Sequence, residues 1–173
     1  KNNYIVAKRF TSFKEVLDTD PDCEKSFFGN LNGYSTKASD NLAQCAQVAF
    51  KRLQNENGFF LMIESAGTDK YGHNGTINGK LASVVTLDCT VAAALLFMEE
   101  NPDTLLIITS DHETGGMRIP EEGENLFTAM TLNEHTATPV RVFAVGQGAE
   151  YFKDKTVDNT DIAKFIINAI EGN

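Results

Sequence analysis

Cysteine and positive charge are both scarce in this sequence. The only cysteines are Cys23, Cys45 and Cys89, and no two stand in C-x-x-C spacing. An odd count specifies no disulfide framework. Cys45 and Cys89 fall in helical patterns and read as small apolar core residues. The net charge is −9, which argues against nucleic acid or an anionic membrane surface as partner. Surplus carboxylate suits divalent cations, but it is more often only a soluble surface. No apolar run reads as long enough to span a bilayer, and no signal-peptide pattern is present. The chain begins at Lys1 rather than Met, so it reads as a fragment, and the missing signal says nothing of compartment. There is no internal repeat and no low-complexity linker. What remains is 173 residues, 42% of them hydrophobic: the length of about one domain, with enough apolar surface for a core.

The pattern along the chain predicts alternating strands and helices. Tyr4 to Ala7 and Ser26 to Phe28 read as short strands, and Ser12 to Leu17 as a short helix. Residues 30–39 are rich in Asn, Gly and Ser and read as loop. Ser39 or Asp40 caps a helix with Leu42, Cys45, Ala46, Ala49 and Leu53 on one face. Phe59 to Ile63 reads as a strand buried on both faces of a parallel sheet. A Gly- and Asn-rich turn, Gly72 to Gly79, leads into the longest helix, Lys80 to Glu100, whose apolar stripe is Val84, Leu87, Val91, Ala94, Leu95 and Met98. Asn101-Pro102 ends it. Leu105 to Ile108 and Val140 to Val145 are further strands, with an irregular stretch between them and one strand near Phe127. Asn159 or Thr160 caps a last helix with Ile162, Phe165, Ile166 and Ile170 inward. The class is therefore α/β, with a largely parallel sheet flanked by helices.

Three stretches carry the chemistry. In G-F-F-L-M-I-E-S-A-G-T-D-K-Y-G-H, Gly58 to His73, an apolar run stops at Glu64, and Asp69 and His73 follow four residues apart. That spacing shares one face of a helical turn, and both are ordinary zinc ligands. Taken alone, the stretch reads equally as a capped helix start with a surface histidine. The other two histidines break that tie. His112 directly follows Asp111 at the end of a strand, and His135 stands in Glu134-His135-Thr136 just before one. All three of the chain's histidines thus lie at strand ends or loops, two with an aspartate nearby. Two Asp and three His suffice for two zinc ions held close together, an arrangement that clamps a phosphoryl group and activates an oxygen nucleophile. Glu64, a hard oxygen ligand, suits magnesium.

Together with D-T-L-L-I-I-T-S-D-H-E-T-G-G and E-H-T-A-T-P-V-R-V-F-A-V-G, this stretch resembles the C-terminal half of the alkaline phosphatase family. The three blocks stand in the family's order and spacing. The similarity is weak before Ala38, so residues 1–173 are expected to form the C-terminal fragment of one doubly wound domain, with 1–38 as a peripheral insertion or edge. The resemblance implies that Asp69, His73 and His135 hold a first zinc, Asp111 and His112 a second, and Glu64 a magnesium. It implies that Lys70 contacts phosphate, with a solvated lysine the equal alternative, and that Thr114, Gly115 and Gly116 contribute backbone only. It further implies a phosphate monoester as substrate, a homodimer, and an extracytoplasmic location.

Half of the family's site is missing from this sequence. No Asp-Ser-Ala or Asp-Ser-Gly nucleophile motif occurs. Ser65 takes a spacer position, and neither Arg118 nor Arg141 matches the family's phosphate-binding arginine. The expectation is a phosphomonoesterase as the parent protein and an inactive chain by itself. The alternatives are another member of the superfamily, such as a phosphodiesterase, sulfatase or mutase, and a metal-binding module without turnover.

Overall fold

A computed structural model of the chain describes residues 4–7, 26–29, 39–125 and 133–172. The expected helix at Ser12 to Leu17 and the strand near Phe127 lie outside them. The chain divides into two compact units, Lys1–Tyr71 with Asn78–Phe97, and Gly72–Ile77 with Met98–Asn173.

In the first unit, β1 (Tyr4–Ala7) pairs in parallel with β2 (Ser26–Gly29), in the register Tyr4 with Ser26. Helix α1 (Ser39–Leu53) already includes Ser39 and Asp40, the residues expected to cap it. Its buried side chains are Ala46, Val48 and Phe50, so the inward face is shifted from the stripe that ended at Leu53, which is exposed. Cys45 is half-buried, as is Cys89. Phe50 stacks on Phe97 with ring centroids 4.9 Å apart, and Phe59 meets the same ring at 6.1 Å.

The run Phe59 to Ile63 corrects the expectation of a doubly buried strand. It has no ladder partner among the described residues. Phe59, Leu61 and Ile63 are half-buried while Phe60 and Met62 are exposed, Met62 by 80%. Extended backbone sends alternate side chains to opposite faces, and only the face toward Phe97 is covered. Helix α2 (Gly67–His73) follows.

Helix α3 (Ile77–Glu100) starts three residues before the predicted Lys80. Asn78 and Gly79 are poor helix formers, but packing overrides propensity here: a side chain on Gly79 would strike the Tyr71 ring at 2.4 Å. The inward face also differs from the predicted stripe. Ser83, Thr90 and Ala93 are buried, whereas Val84, Val85, Leu95 and Leu96 are exposed. Small residues allow close approach: at Gly67 a Cβ would meet Ser83 Oγ at 2.2 Å, and Ser65 Oγ donates to Ser83 O at 3.3 Å. With 24 residues and a stretch of mean hydropathy 2.0, α3 is long and apolar enough to cross a membrane by length and composition alone, a test that a core helix also passes.

In the second unit, β3 (Leu105–Ile108) pairs with β6 (Phe143–Gly146), and β4 (Glu113–Thr114) with β5 (His135–Thr136). Both ladders are antiparallel. Among the described residues one ladder is parallel and two are not, so the largely parallel sheet is not what these pairs form, although the α/β class holds. Mixed sheets commonly carry antiparallel members. β6 begins at Phe143 rather than Val140 because its partner β3 supplies only four residues. Beyond Ile108, Thr109 Oγ1 donates to Arg141 O at 3.2 Å in place of a ladder bond. Gly146, with φ +100°, lets Thr104 O approach within 2.1 Å of where a Cβ would stand. A 3₁₀ turn (Ala149–Phe152) follows, and its Tyr151 and Phe152 pack on Phe165 of α4 (Asn159–Glu171) at 4.4 and 5.1 Å. The cap of α4 is Asp158, one residue earlier than expected, in a reciprocal capping box with Asp161.

Candidate metal centre

Helix α2 places Asp69 and His73 one turn apart, as their spacing requires. His73 is held by backbone: its Nδ1 lies 2.6 Å from Asn133 O. A carbonyl can only accept, so Nδ1 carries the proton and the neutral ring keeps its lone pair on Nε2. That Nε2 lies 3.0 Å from Nε2 of His135. A carboxylate oxygen of Asp69 and ring nitrogens of His73 and His135 all lie within 4.8 Å of one another. Two imidazoles and a carboxylate that close suit a divalent cation.

The second pair lies beside the first. His112 stacks on His135 with centroids 3.5 Å apart and planes at 24°, so the three histidines form one cluster. Thr114 Oγ1 lies 3.2 Å from His112 Nδ1, and His112 Nε2 lies 3.3 Å from Asp111 Oδ2. Asp111 in turn accepts from the His112 backbone N–H through Oδ1 at 3.1 Å. The buried Thr114 thus orients an imidazole with its side chain, which corrects the backbone-only role expected for it. Asp111, His112, Thr136, Thr138 and Asp158 line an open cleft of about 310 Å³.

Glu64 is exposed ahead of α2, and Lys70 is exposed on it. Neither belongs to the group of three. Sequence reasoning missed two residues. Glu113 accepts from Thr136 Oγ1 at 2.6 Å, inside a block that was read for its neighbours. The carbonyl of Asn133 left no side-chain signal at all.

The sequence model of the alkaline phosphatase family matches residues 30–134. Alkaline phosphatase H of Pseudomonas aeruginosa is 31% identical over 166 residues, covering 79% of this chain and 35% of its own length. Among solved structures, the cold-active alkaline phosphatase of a psychrophilic Shewanella is similar in fold, with a TM-score of 0.82 at 22% identity over 96% of this chain and 59% of that one. The alkaline phosphatase of the Antarctic bacterium TAB5 gives a TM-score of 0.67 at 26% identity, over 87% and 47%. A variant of it is solved with Mg bound. The chain therefore spans about a third of the curated relative and about half of the solved ones.

Proposed function

This chain belongs to the alkaline phosphatase family, and from that premise we propose that it carries the C-terminal metal ligands of a phosphate monoester hydrolase. The observation that carries the reading is the convergence of Asp69, His73 and His135 within 4.8 Å. Tetrahedral zinc with bonds near 2.0–2.1 Å sets its ligands about 3.3 Å apart, close to the 3.0 Å between the two Nε2 atoms. Asp69, His73 and His135 hold a first zinc, and Asp111 with His112 contribute to a second. Glu64 is assigned to magnesium and Lys70 to phosphate. When bound, such a metal pair clamps the phosphoryl group and lowers the pKa of the attacking oxygen.

The chain's own residues supply orientation. The Asn133 carbonyl fixes the His73 tautomer, and Thr114 fixes the His112 ring, the outer support that metal-ligating histidines ordinarily have. The cleft beside Asp111 and His112 admits a phosphate-sized group. The nucleophile and the phosphate-binding arginine match no residue here, so the chain by itself is a metal-binding module without turnover. Its parent, by the same reading, is an extracytoplasmic homodimer.

Equilibrium dialysis against zinc, run beside a nitrophenyl phosphate assay, tests this. The 173-residue chain binds roughly one zinc at neutral pH, because only the first set reaches the three protein ligands usual for an open zinc site. His73→Ala weakens that binding by about tenfold or more. No zinc at neutral pH, or an unchanged affinity in His73→Ala, refutes the ligand assignment. Robust hydrolysis by the chain alone refutes the missing nucleophile.

A further inference from the structure

β4 and β5 contribute only two residues each, pairing Glu113 with Thr136 and Thr114 with His135. So short a ladder specifies its register weakly, and a slip of one residue turns every side chain to the other face. Yet His112 precedes β4, His135 begins β5, and their rings stack at 3.5 Å. Something besides the ladder holds that register.

Glu113 is placed to do so. Its Oε2 accepts from Thr136 Oγ1 at 2.6 Å, across the ladder. The same oxygen accepts from Gly116 N–H, and Oε1 accepts from Met117 N–H, each at 3.2 Å. Gly115 and Gly116 have φ of 94° and 57°. Glycine adopts such angles without strain, and the turn directs successive N–H groups at the carboxylate in the manner of an anion-binding nest. Gly115 N–H then donates to Glu134 O at 3.0 Å. One half-buried carboxylate thus ties the turn that follows His112 to the strand that carries His135. Hydrogen bonds to an ionised acceptor are about twice as strong as neutral ones.

We propose that Glu113 is a positioning residue of the metal centre: its carboxylate staples β4, the Gly115–Gly116 turn and β5 together and so holds His112 and His135 in ligand register. The metal part of this inference rests on the function proposed above. The staple itself rests only on the contacts of Glu113.

The experiment uses the full 173-residue chain with Glu113→Ala, Glu113→Gln and Thr136→Val beside the unsubstituted protein. Zinc affinity is read by competition with a chromophoric chelator. Ring-proton NMR of the metal-free chain reads the stack directly, because rings 3.5 Å apart shift one another's resonances. Glu113→Ala weakens zinc binding by about 10- to 100-fold, the usual effect of removing an outer partner, and moves the His112 and His135 resonances. Glu113→Gln recovers part of both, since its amide oxygen still accepts from Thr136. Zinc affinity within about twofold of the parent in Glu113→Ala, with unmoved ring resonances, overturns the proposal. Should the unsubstituted chain bind no zinc, the preceding section fails, and the ring resonances still decide for or against the staple. Should Glu113→Ala not fold, Thr136→Val, which removes a single donor, is judged by the same readouts.

Discussion

Cys45 is half-buried on α1, and burial pushes its thiol from 9.0 up to about 11. Only the thiolate reacts, so at pH 8 this site holds about a hundredfold less nucleophile than an ordinary thiol with a pKa near 9. Alkylation by iodoacetamide should accordingly be about a hundredfold slower in the native chain than in denaturant, and equal rates would mean that α1 does not bury this side chain. The sign for stability follows from linkage. Above pH 9 the thiol ionises in the unfolded chain before it does in the folded one. This group's contribution is therefore complete below pH 9 and is lost as the pH rises through 11. Glu124 runs the other way. Its hydrogen bonds with Arg118 lower its carboxyl from 4.5 to about 2, so its contribution is present above pH 4.5 and is lost as the pH falls through 2. Full exposure keeps that contribution small. The sequence already marked Cys45 as a core thiol, because it lies on a helical stripe. The Arg118–Glu124 pair was not legible, since it depends on how the loop after Gly116 folds back.

Helix α3 shows where periodicity informs and where it misleads. The existence and end of the helix were plain from its apolar content and from Asn101-Pro102. Its inward face was not, because almost every side of the helix is apolar, and a hydrophobic stripe then has no contrast. Tertiary packing chose the small face instead. The hydroxyls on that face need no outside partner: Ser83 bonds back to Gly79 O at 2.9 Å, Thr86 to Ala82 O at 2.9 Å and Thr90 to Thr86 O at 2.8 Å. Self-satisfied hydroxyls can be buried at little cost. This orientation has a measurable consequence opposite to the one hydropathy suggests. Thr90 is 4% exposed, so Thr90→Leu should cost about 1–3 kcal/mol through overpacking. Val85, 53% exposed, should accept Lys within about 0.5 kcal/mol. Urea unfolding of both variants checks this. A stabilised Thr90→Leu or a collapsed Val85→Lys would mean that the helix is turned the other way. The run Phe59 to Ile63 failed as a strand for a related reason: five apolar residues in extended backbone show alternation only once something covers one face.

Across the whole chain, the site was more legible than the sheet. Ligand chemistry restricts residue type and spacing, so Asp69, His73 and His135 stood out as candidate ligands, and these three are the group the structure brings within 4.8 Å. Strand direction leaves no comparable mark, and the antiparallel β3–β6 and β4–β5 ladders went unread. Nor did any residue type announce the support supplied by the Asn133 carbonyl, Thr114 and Glu113, since that support depends on which backbone passes near which ring. On the proposed reading, the three ligands of the first site come from segments 62 residues apart, His73 and His135. A metal that binds only the folded arrangement must stabilise it by mass action. At free zinc of 100 times its dissociation constant the gain is about 2.7 kcal/mol. The urea midpoint of the chain should therefore rise with zinc and return to the metal-free value with chelator. His73→Ala should show almost no zinc-dependent shift. A midpoint that ignores zinc at neutral pH, or a zinc-dependent rise that persists undiminished in His73→Ala, would exclude histidine ligation as its source.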